Sequence, residues 1–301
     1  MAPRKPFFTL VMANYNGAAY VEEAIASIGA QSFTDWCLIV VDDGSTDDSV
    51  ARIEAALKPL MPPARLIIHE TNRGQGAAFN TALQSIDSLW VAFLDSDDLW
   101  TPQKLERTAK SLAEAPGATA LLQHPLRIHY NDTSTQEIFP EYAIGGDVLK
   151  WMRQHRRLPK FVPTTGLVFS TEVLRRCLPI PELFRICADG FLTRAAACFG
   201  EVRILDEALG NYRLHNGNQV GGNQSFARSD FMRRVMVPEL NAFYRRNRLE
   251  LELPVPEPPT EHVPAPVSKR LWTWLPKELS HRLRRGPQAH RFASSRQGKQ
   301  T

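Results

Sequence analysis

Trp90-Val91-Ala92-Phe93-Leu94-Asp95-Ser96-Asp97-Asp98-Leu99-Trp100 decides how this chain is read: an unbroken apolar run ends in three carboxylates. Such a run suits a strand covered on both faces, as strands of a parallel sheet are. Carboxylates buried at its end are costly unless they are paired, hydrogen-bonded or bound to a cation. Ligands of open α/β folds bind where parallel strands leave the sheet. Asp95 and Asp97, one residue apart, can there face one crevice and hold one divalent ion. The competing reading is that the acids only shape a turn and cap the helix after it.

Upstream, strands and helices alternate. Phe7 to Ala13 suits a buried strand ended by the turn residues Asn14-Tyr15-Asn16-Gly17. Val21, Ala24, Ile25 and Ile28 then recur at helical spacing. Cys37 to Val41 is a second apolar run, ending in Asp42-Asp43-Gly44-Ser45-Thr46-Asp47-Asp48. A helix over about 48–57, a strand over 65–69 and a small-residue helix over about 75–84 lead back to Trp90. This order predicts a parallel sheet with helices on its faces, an α/β fold. Asn14 and Asn16, Asp42 and Asp43, and Asp95 and Asp97 follow three separate strands, which a shared ligand explains better than turn chemistry does. Neither a GxGxxG nor a Walker A pattern occurs, so a phosphate would be held through a cation with oxygen ligands, Mg²⁺ or Mn²⁺.

Downstream, Thr101-Pro102 reads as the start of a helix, with Thr as N-cap and Pro at the first helical position. Residues 118–130 read as a strand pair, 147–155 as a helix, and 163–169 as a loop entering a strand. Helices follow over 171–177 and 188–199, then edge strands over 201–205 and 208–214, and an amphipathic helix over 229–248. Arg153, His155, Arg156, Arg157 and Lys160 form a basic cluster, either a solvated face or part of an acceptor site, with the solvated face favoured. From Leu253 to Pro266 the chain reads as a proline-rich linker outside any core. No stretch reaches membrane-spanning length and no cleavable leader pattern is present. Cys37, Cys177, Cys187 and Cys198 lack metal-ligand spacing and read as reduced core residues of a cytosolic protein. Residues 268–301 carry a net +8 against −4 for the rest of the chain. With Trp272 and Trp274 among the bases, this tail suits either an anionic membrane surface or solvent. Nucleic acid is disfavoured, since no binding-fold signature accompanies the charge.

Residues 11–17, 41–49, 72–74 and 93–98 together resemble, in order and spacing, the nucleotide-sugar-binding half of family 2 glycosyltransferases of the GT-A fold, over about residues 7–110. The resemblance implies a mostly parallel central sheet flanked by helices, with a Rossmann-like nucleotide half (1–110) and an acceptor half (111–220). A helical segment over 221–250 and a linker with basic tail over 251–301 would follow. It implies that Ala13, Asn14, Tyr15 and Asn16, with Asp42 and Asp43, contact base and ribose, Asp43 being the base contact. Asp95-Ser96-Asp97 resembles the DxD motif. Asp97 would bind the Mn²⁺ or Mg²⁺ that bridges the diphosphate, Asp95 would serve ribose or metal-bound water, and Asp98 would only shape the turn. Arg73 would lie over base or phosphate, or simply in solvent. Asn72, Gly74 and Asn80 would be loop and packing positions. Thr165 and Gly166 would form the sugar-facing glycine loop, and His215, in Tyr212-Arg213-Leu214-His215, would bind metal or diphosphate. Asp189 would take the acceptor's proton; the family's Glu-Asp pair reads Ala188-Asp189 in this chain.

The function so implied is inverting, metal-assisted transfer of a sugar from a nucleotide-diphosphate donor, by default a UDP-sugar, to a hydroxyl of a saccharide or glycolipid. The setting would be surface or envelope polysaccharide synthesis, by a cytoplasmic protein peripheral on the inner face of the membrane. A nucleotidyltransferase and a catalytically decayed, membrane-attached nucleotide-sugar-binding protein are the rivals; Ala188 is the decayed reading's best support.

Overall fold

In the computed structural model, Trp90–Phe93 (β4) is the central strand of a seven-stranded sheet. The described residues are 5–61, 63–114, 119–130, 133–215, 230–257 and 289–291. On one side of β4 lie Phe8–Asn14 (β1), Trp36–Asp42 (β2) and Ala64–Ile68 (β3), all parallel. On the other side, Leu167–Ser170 (β10) runs antiparallel to β4, followed by Thr119–Gln123 (β6) and Glu201–Ile204 (β11), parallel to each other. Asn14 pairs in register with Asp42, so β1 and β2 leave the sheet side by side, next to the end of β4.

The apolar runs are covered on both faces, because alternate strand residues point to opposite sides. Leu10, Met12, Leu38, Val40, Ala92 and Leu94 pack beneath Val21–Gly29 (α1), Ser49–Leu57 (α2) and Lys104–Ala113 (α4). Val11, Ile39, Val41, Val91 and Phe93 pack beneath Gln75–Leu83 (α3), Thr171–Cys177 (α6), Ala188–Ala196 (α7) and Val237–Arg246 (α8). The remaining helix, Val148–His155 (α5), adds Val148 and Met152 to that second core and is capped by Asp147, which accepts the Lys150 N–H at 2.9 Å. Burying side chains such as Phe79, Phe93 and Phe169, which meet edge to face or tilted at 4.8 and 5.5 Å, stabilises by about 2–3 kcal/mol each.

Several expectations change in three dimensions. Leu99–Trp100 (β5) pairs with Gly210–Leu214 (β12) in a second sheet, ordered β5, β12, Leu126–Tyr130 (β7), Thr133–Phe139 (β8). That pairing engages Thr101, whose N–H donates to the Leu209 carbonyl at 3.0 Å, so α4 starts at Lys104 rather than at Thr101-Pro102. β12 is therefore not an edge of the main sheet, and β6 and β7 part into different sheets. The amphipathic helix contains a π turn, Met232–Met236, just ahead of α8. Leu253 belongs to the core rather than a linker: it is 2% exposed, and Asn241 grips it through both amide atoms, each at 2.8 Å. Cys177 and Cys198 are buried, whereas Cys187 lines the cavity described below. A short strand, Ala289–Arg291 (β13), pairs with Tyr142–Ile144 (β9). No helix among the described residues is long and apolar enough to cross a membrane. Trp272, Trp274 and the rest of the basic tail, apart from residues 289–291, lie outside the described residues.

Candidate active site

A cavity of about 1390 Å³ opens where β1, β2 and β4 leave the sheet, the expected address in an open α/β fold. It exceeds the ~300–1,000 Å³ typical of a single small-ligand site. Ala13, Asn14, Tyr15, Asn16 and Asp43 line it, as do Asp95, Ser96, Asp97, Asp189 and His215.

The acidic turn is bolted from behind by Thr165. Its hydroxyl donates to the Asp98 carboxylate (2.5 Å) and accepts the Asp95 N–H (3.2 Å), while its carbonyl accepts the Trp100 indole N–H (2.9 Å). Thr165 is fully buried, and a side chain on Gly166 would strike the His124 carbonyl. These two residues therefore support the turn and do not line the cavity; Thr164 does. Asp98 does more than shape a turn. It is buried and also accepts the Arg213 N–H at 2.8 Å, tying β12 to the acidic loop. Arg213 is in turn held by Glu23 at 2.6 Å and lies over Tyr20. The chain leaving β12 thus brings His215 Nε2 within 3.0 Å of Asp97 Oδ2, with the imidazole against Tyr20.

The carboxyls strain one another. Burial, followed by the charges of Asp98, Asp97 and Asp189, pushes the Asp95 carboxyl well above the usual range. Burial and Asp97 do the same to Asp98. The Tyr212 hydroxyl, buried beside all four acids, is likewise pushed up. A bound cation inverts this balance. Asp97 and His215, with Asp95 adjacent, are the residues that could hold one. Among the described residues no cluster of three or more His, Cys, Asp or Glu side chains forms a closed metal cage. An oxygen-and-nitrogen set of this size fits a divalent ion whose shell is completed by phosphate oxygens and water. Asn14 belongs to the same lining, with its Oδ1 buried against Gly17 and without a partner among the described residues.

The two adjacent acids after β2 part company. Asp42 is fully buried, accepting from Asn14 Nδ2 (2.8 Å) and from the Ser45 N–H (2.8 Å) and hydroxyl (2.7 Å), and it does not line the cavity. Asp43 lines it, but its carboxylate is engaged by the Gly74 N–H (2.6 Å), the Arg73 N–H (3.0 Å) and His69 Nδ1 (2.7 Å). Arg73 contributes its backbone to this grip; its side chain is exposed and lies outside the lining. Asn16, in the left-handed region, fastens the loop after β1 to Thr46, whose N–H it accepts at 2.8 Å.

Asp189, the second residue of α7, reaches the same cavity from residues nearly a hundred positions later. The basic cluster divides. Lys160 lines the cavity, whereas Arg153 is exposed and donates to the Glu250 carbonyl. Gln75, Arg185, Tyr212, Pro256 and Glu257 also line it. Tyr212 belongs to the motif that ends in His215, whereas no periodicity or motif singled out Gln75, Arg185, Pro256 or Glu257.

Residues 9–176 match the family model for glycosyl transferase family 2. The chain belongs to glycosyl transferase family 2. An uncharacterized glycosyltransferase of Nostoc sp. is 34% identical over 212 residues, covering 70% of this chain and 65% of the relative. The succinoglycan biosynthesis protein ExoO of Rhizobium meliloti is 39% identical over 227 residues, 71% of this chain and 62% of its own length. This chain thus spans somewhat under two thirds of the length of either relative. Among solved structures, TarS of S. aureus in complex with UDP-GlcNAc superposes with a TM-score of 0.62 at 23% identity, over 83% of this chain and 68% of that one. The architecture of this family 2 glycosyltransferase is the GT-A fold.

Proposed function

We propose that the enzyme transfers a sugar, with inversion, from a UDP-sugar to a hydroxyl of a saccharide or lipid-linked saccharide during surface or envelope polysaccharide synthesis. One observation carries the reading: Asp97, Asp189 and His215, from three separate segments of the chain, share a single cavity. Asn14, Tyr15, Asn16 and Ser96 would seat the nucleotide, and Asp97 and His215 the diphosphate end, through Mn²⁺ or Mg²⁺. When bound, such an ion supplies charge neutralisation for the departing nucleoside diphosphate. Asp189 accepts the proton of the acceptor hydroxyl as that oxygen attacks the anomeric carbon from the face opposite the leaving group. One displacement with one base needs no covalent enzyme intermediate. The cavity's volume supports simultaneous seating of donor and acceptor. UDP-GlcNAc is what the TarS neighbour holds and succinoglycan is what ExoO's name concerns; both favour this donor and product class. The basic Trp272/Trp274 tail would hold the enzyme on the inner face of the cell membrane, which its charge supports.

The test is release of nucleoside diphosphate from UDP-glucose, UDP-GlcNAc, UDP-galactose and GDP-mannose with Mn²⁺ or Mg²⁺. Asp97→Ala and Asp189→Asn should each abolish turnover, and only Asp97→Ala should weaken Mn²⁺-dependent UDP binding. Pyrophosphate as the product would make the enzyme a nucleotidyltransferase, and full activity in Asp189→Asn would remove the base assignment.

A further inference from the structure

α3 is the rail on which the segment leading to Asp189 is laid. Asn80 grips Ile180 at both ends of its amide: Nδ2 donates to the Ile180 carbonyl and Oδ1 accepts the Ile180 N–H, each at 2.8 Å. The first N–H groups of a helix have no partner inside it, and here they donate to this segment. Gln75 N–H reaches the Arg185 carbonyl and Gly76 N–H the Phe184 carbonyl, both at 2.9 Å. The approach is close: a Cβ on Gly74 would lie 2.5 Å from the Arg185 Cα, and one on Gly76 would lie 2.6 Å from the Phe184 oxygen. This is why the rail opens Gly74-Gln75-Gly76.

The last contact belongs to the Gln75 side chain. Its Oε1 accepts the N–H of Ala188, the first residue of α7, at 2.9 Å. α7 has no side-chain cap of its own, and Cys187 before it sits in the left-handed region at φ 56°. Gln75 therefore performs the N-cap's task from 113 residues away, and Asp189 is the very next residue. The same α3 N-terminus is held from the nucleotide side by Asp43, through the Gly74 and Arg73 N–H groups. Gln75 lies inside the stretch matched by the family model, which ends at residue 176, and Ala188 lies beyond it.

We propose that Gln75 is a positioning residue for Asp189, fixing the entry of α7 and joining the loop held by Asp43 to the base as one mechanical unit. The inference rests on Asp189 being the base. A misplacement of about 1 Å costs on the order of a hundredfold in rate, so losing the acceptor on the α7 N-terminus should appear in kcat and leave nucleotide binding unchanged.

The experiment uses the full chain with Mn²⁺ and either UDP-glucose or UDP-GlcNAc, whichever the wild type turns over faster. Gln75→Met and Gln75→Ala both remove the acceptor, the first at nearly constant volume; Gln75→Glu keeps it. The expected result is a fall in kcat of about tenfold or more in Met and Ala. Donor KM and the UDP·Mn²⁺ dissociation constant should stay within about twofold, and Glu should recover to within about threefold of wild type. Unimpaired kcat in Gln75→Met, a Glu variant as slow as Met, or a rise in donor KM in place of the fall in kcat would each overturn the proposal. Asp189→Asn is run alongside. If it is active, the base reading falls and takes this inference with it; if it is inactive while Gln75→Met is unimpaired, this inference alone fails.

Discussion

Acidification should destabilise this protein through one histidine. His124 is fully buried, its backbone N–H donates to the Gly166 carbonyl (3.1 Å), and its Nδ1 contacts the Pro125 carbonyl (3.0 Å). The carbonyl accepts, so Nδ1 carries the proton, and Nε2 is left buried without a partner among the described residues. Burial first, then the nearby Lys104 ammonium, lower its pKa from 6.5 to about 3. The sign follows from proton counting: between those values the unfolded chain binds a proton that the folded chain refuses, so stability is whole above pH 6.5 and drains as pH falls. One proton gives about 1.4 kcal/mol per pH unit, or about 2 kcal/mol lost at pH 5. That is a large share of the ~5–15 kcal/mol that holds a typical domain. His124→Asn keeps a side-chain N–H near the place of Nδ1 and cannot titrate. Urea unfolding of both proteins from pH 7.5 to 5 should show the wild type losing about 2 kcal/mol more than the variant. Equal losses, or a folded-state NMR titration of His124 near 6.5, would refute the reasoning. Function should follow stability here, because His124 backs Gly166, and its neighbour Thr165 holds the acidic turn.

Three other outcomes are expected. Lys104 is fully buried over the Trp100 ring, with no hydrogen-bond partner for Nζ among the described residues and its pKa pushed well down by burial; Lys104→Met should raise stability by about 1 kcal/mol at pH 7, read as a higher Tm, and a lower Tm would sink the idea. Thr165→Val strips one hydrogen bond each from the Asp98 carboxyl and the Asp95 N–H, and should cost about 2–3 kcal/mol and weaken Mn²⁺-dependent UDP binding by calorimetry. Gly74→Ala forces a side chain at φ 95° against the Arg185 backbone, and should cost about 1–3 kcal/mol by chemical denaturation and lower turnover far more than it lowers UDP affinity.

The parts legible in the sequence are those whose cause is local. β4 and its neighbours announce themselves because strands covered on both faces must be apolar throughout, and α1 because its buried residues recur every three or four positions. Asp95, Ser96 and Asp97 were found because acids at the end of such a strand need a reason. Asp42 and Asp43 show where local reading ends. They are adjacent and identical, yet one is consumed by Asn14 and Ser45 and the other meets the cavity, and apart from Ser45 the partners that fix them lie 26 to 31 positions away.

The order of strands and helices, the crevice at the strand ends and the acidic turn were written in the chain itself, because hydrophobic period and unburiable charge are properties of short segments; Asp189 as a candidate base came only from the resemblance to family 2 glycosyltransferases. Only the tertiary structure decided that Thr165 and Gly166 support the turn from behind, that Leu253 is core, that Lys160 enters the cavity, and that Gln75 caps the helix carrying Asp189. Each of these is a contact between residues distant in sequence. The close approach of two backbones that makes such a contact leaves no trace in either segment beyond a glycine whose purpose appears only once its neighbour is in place.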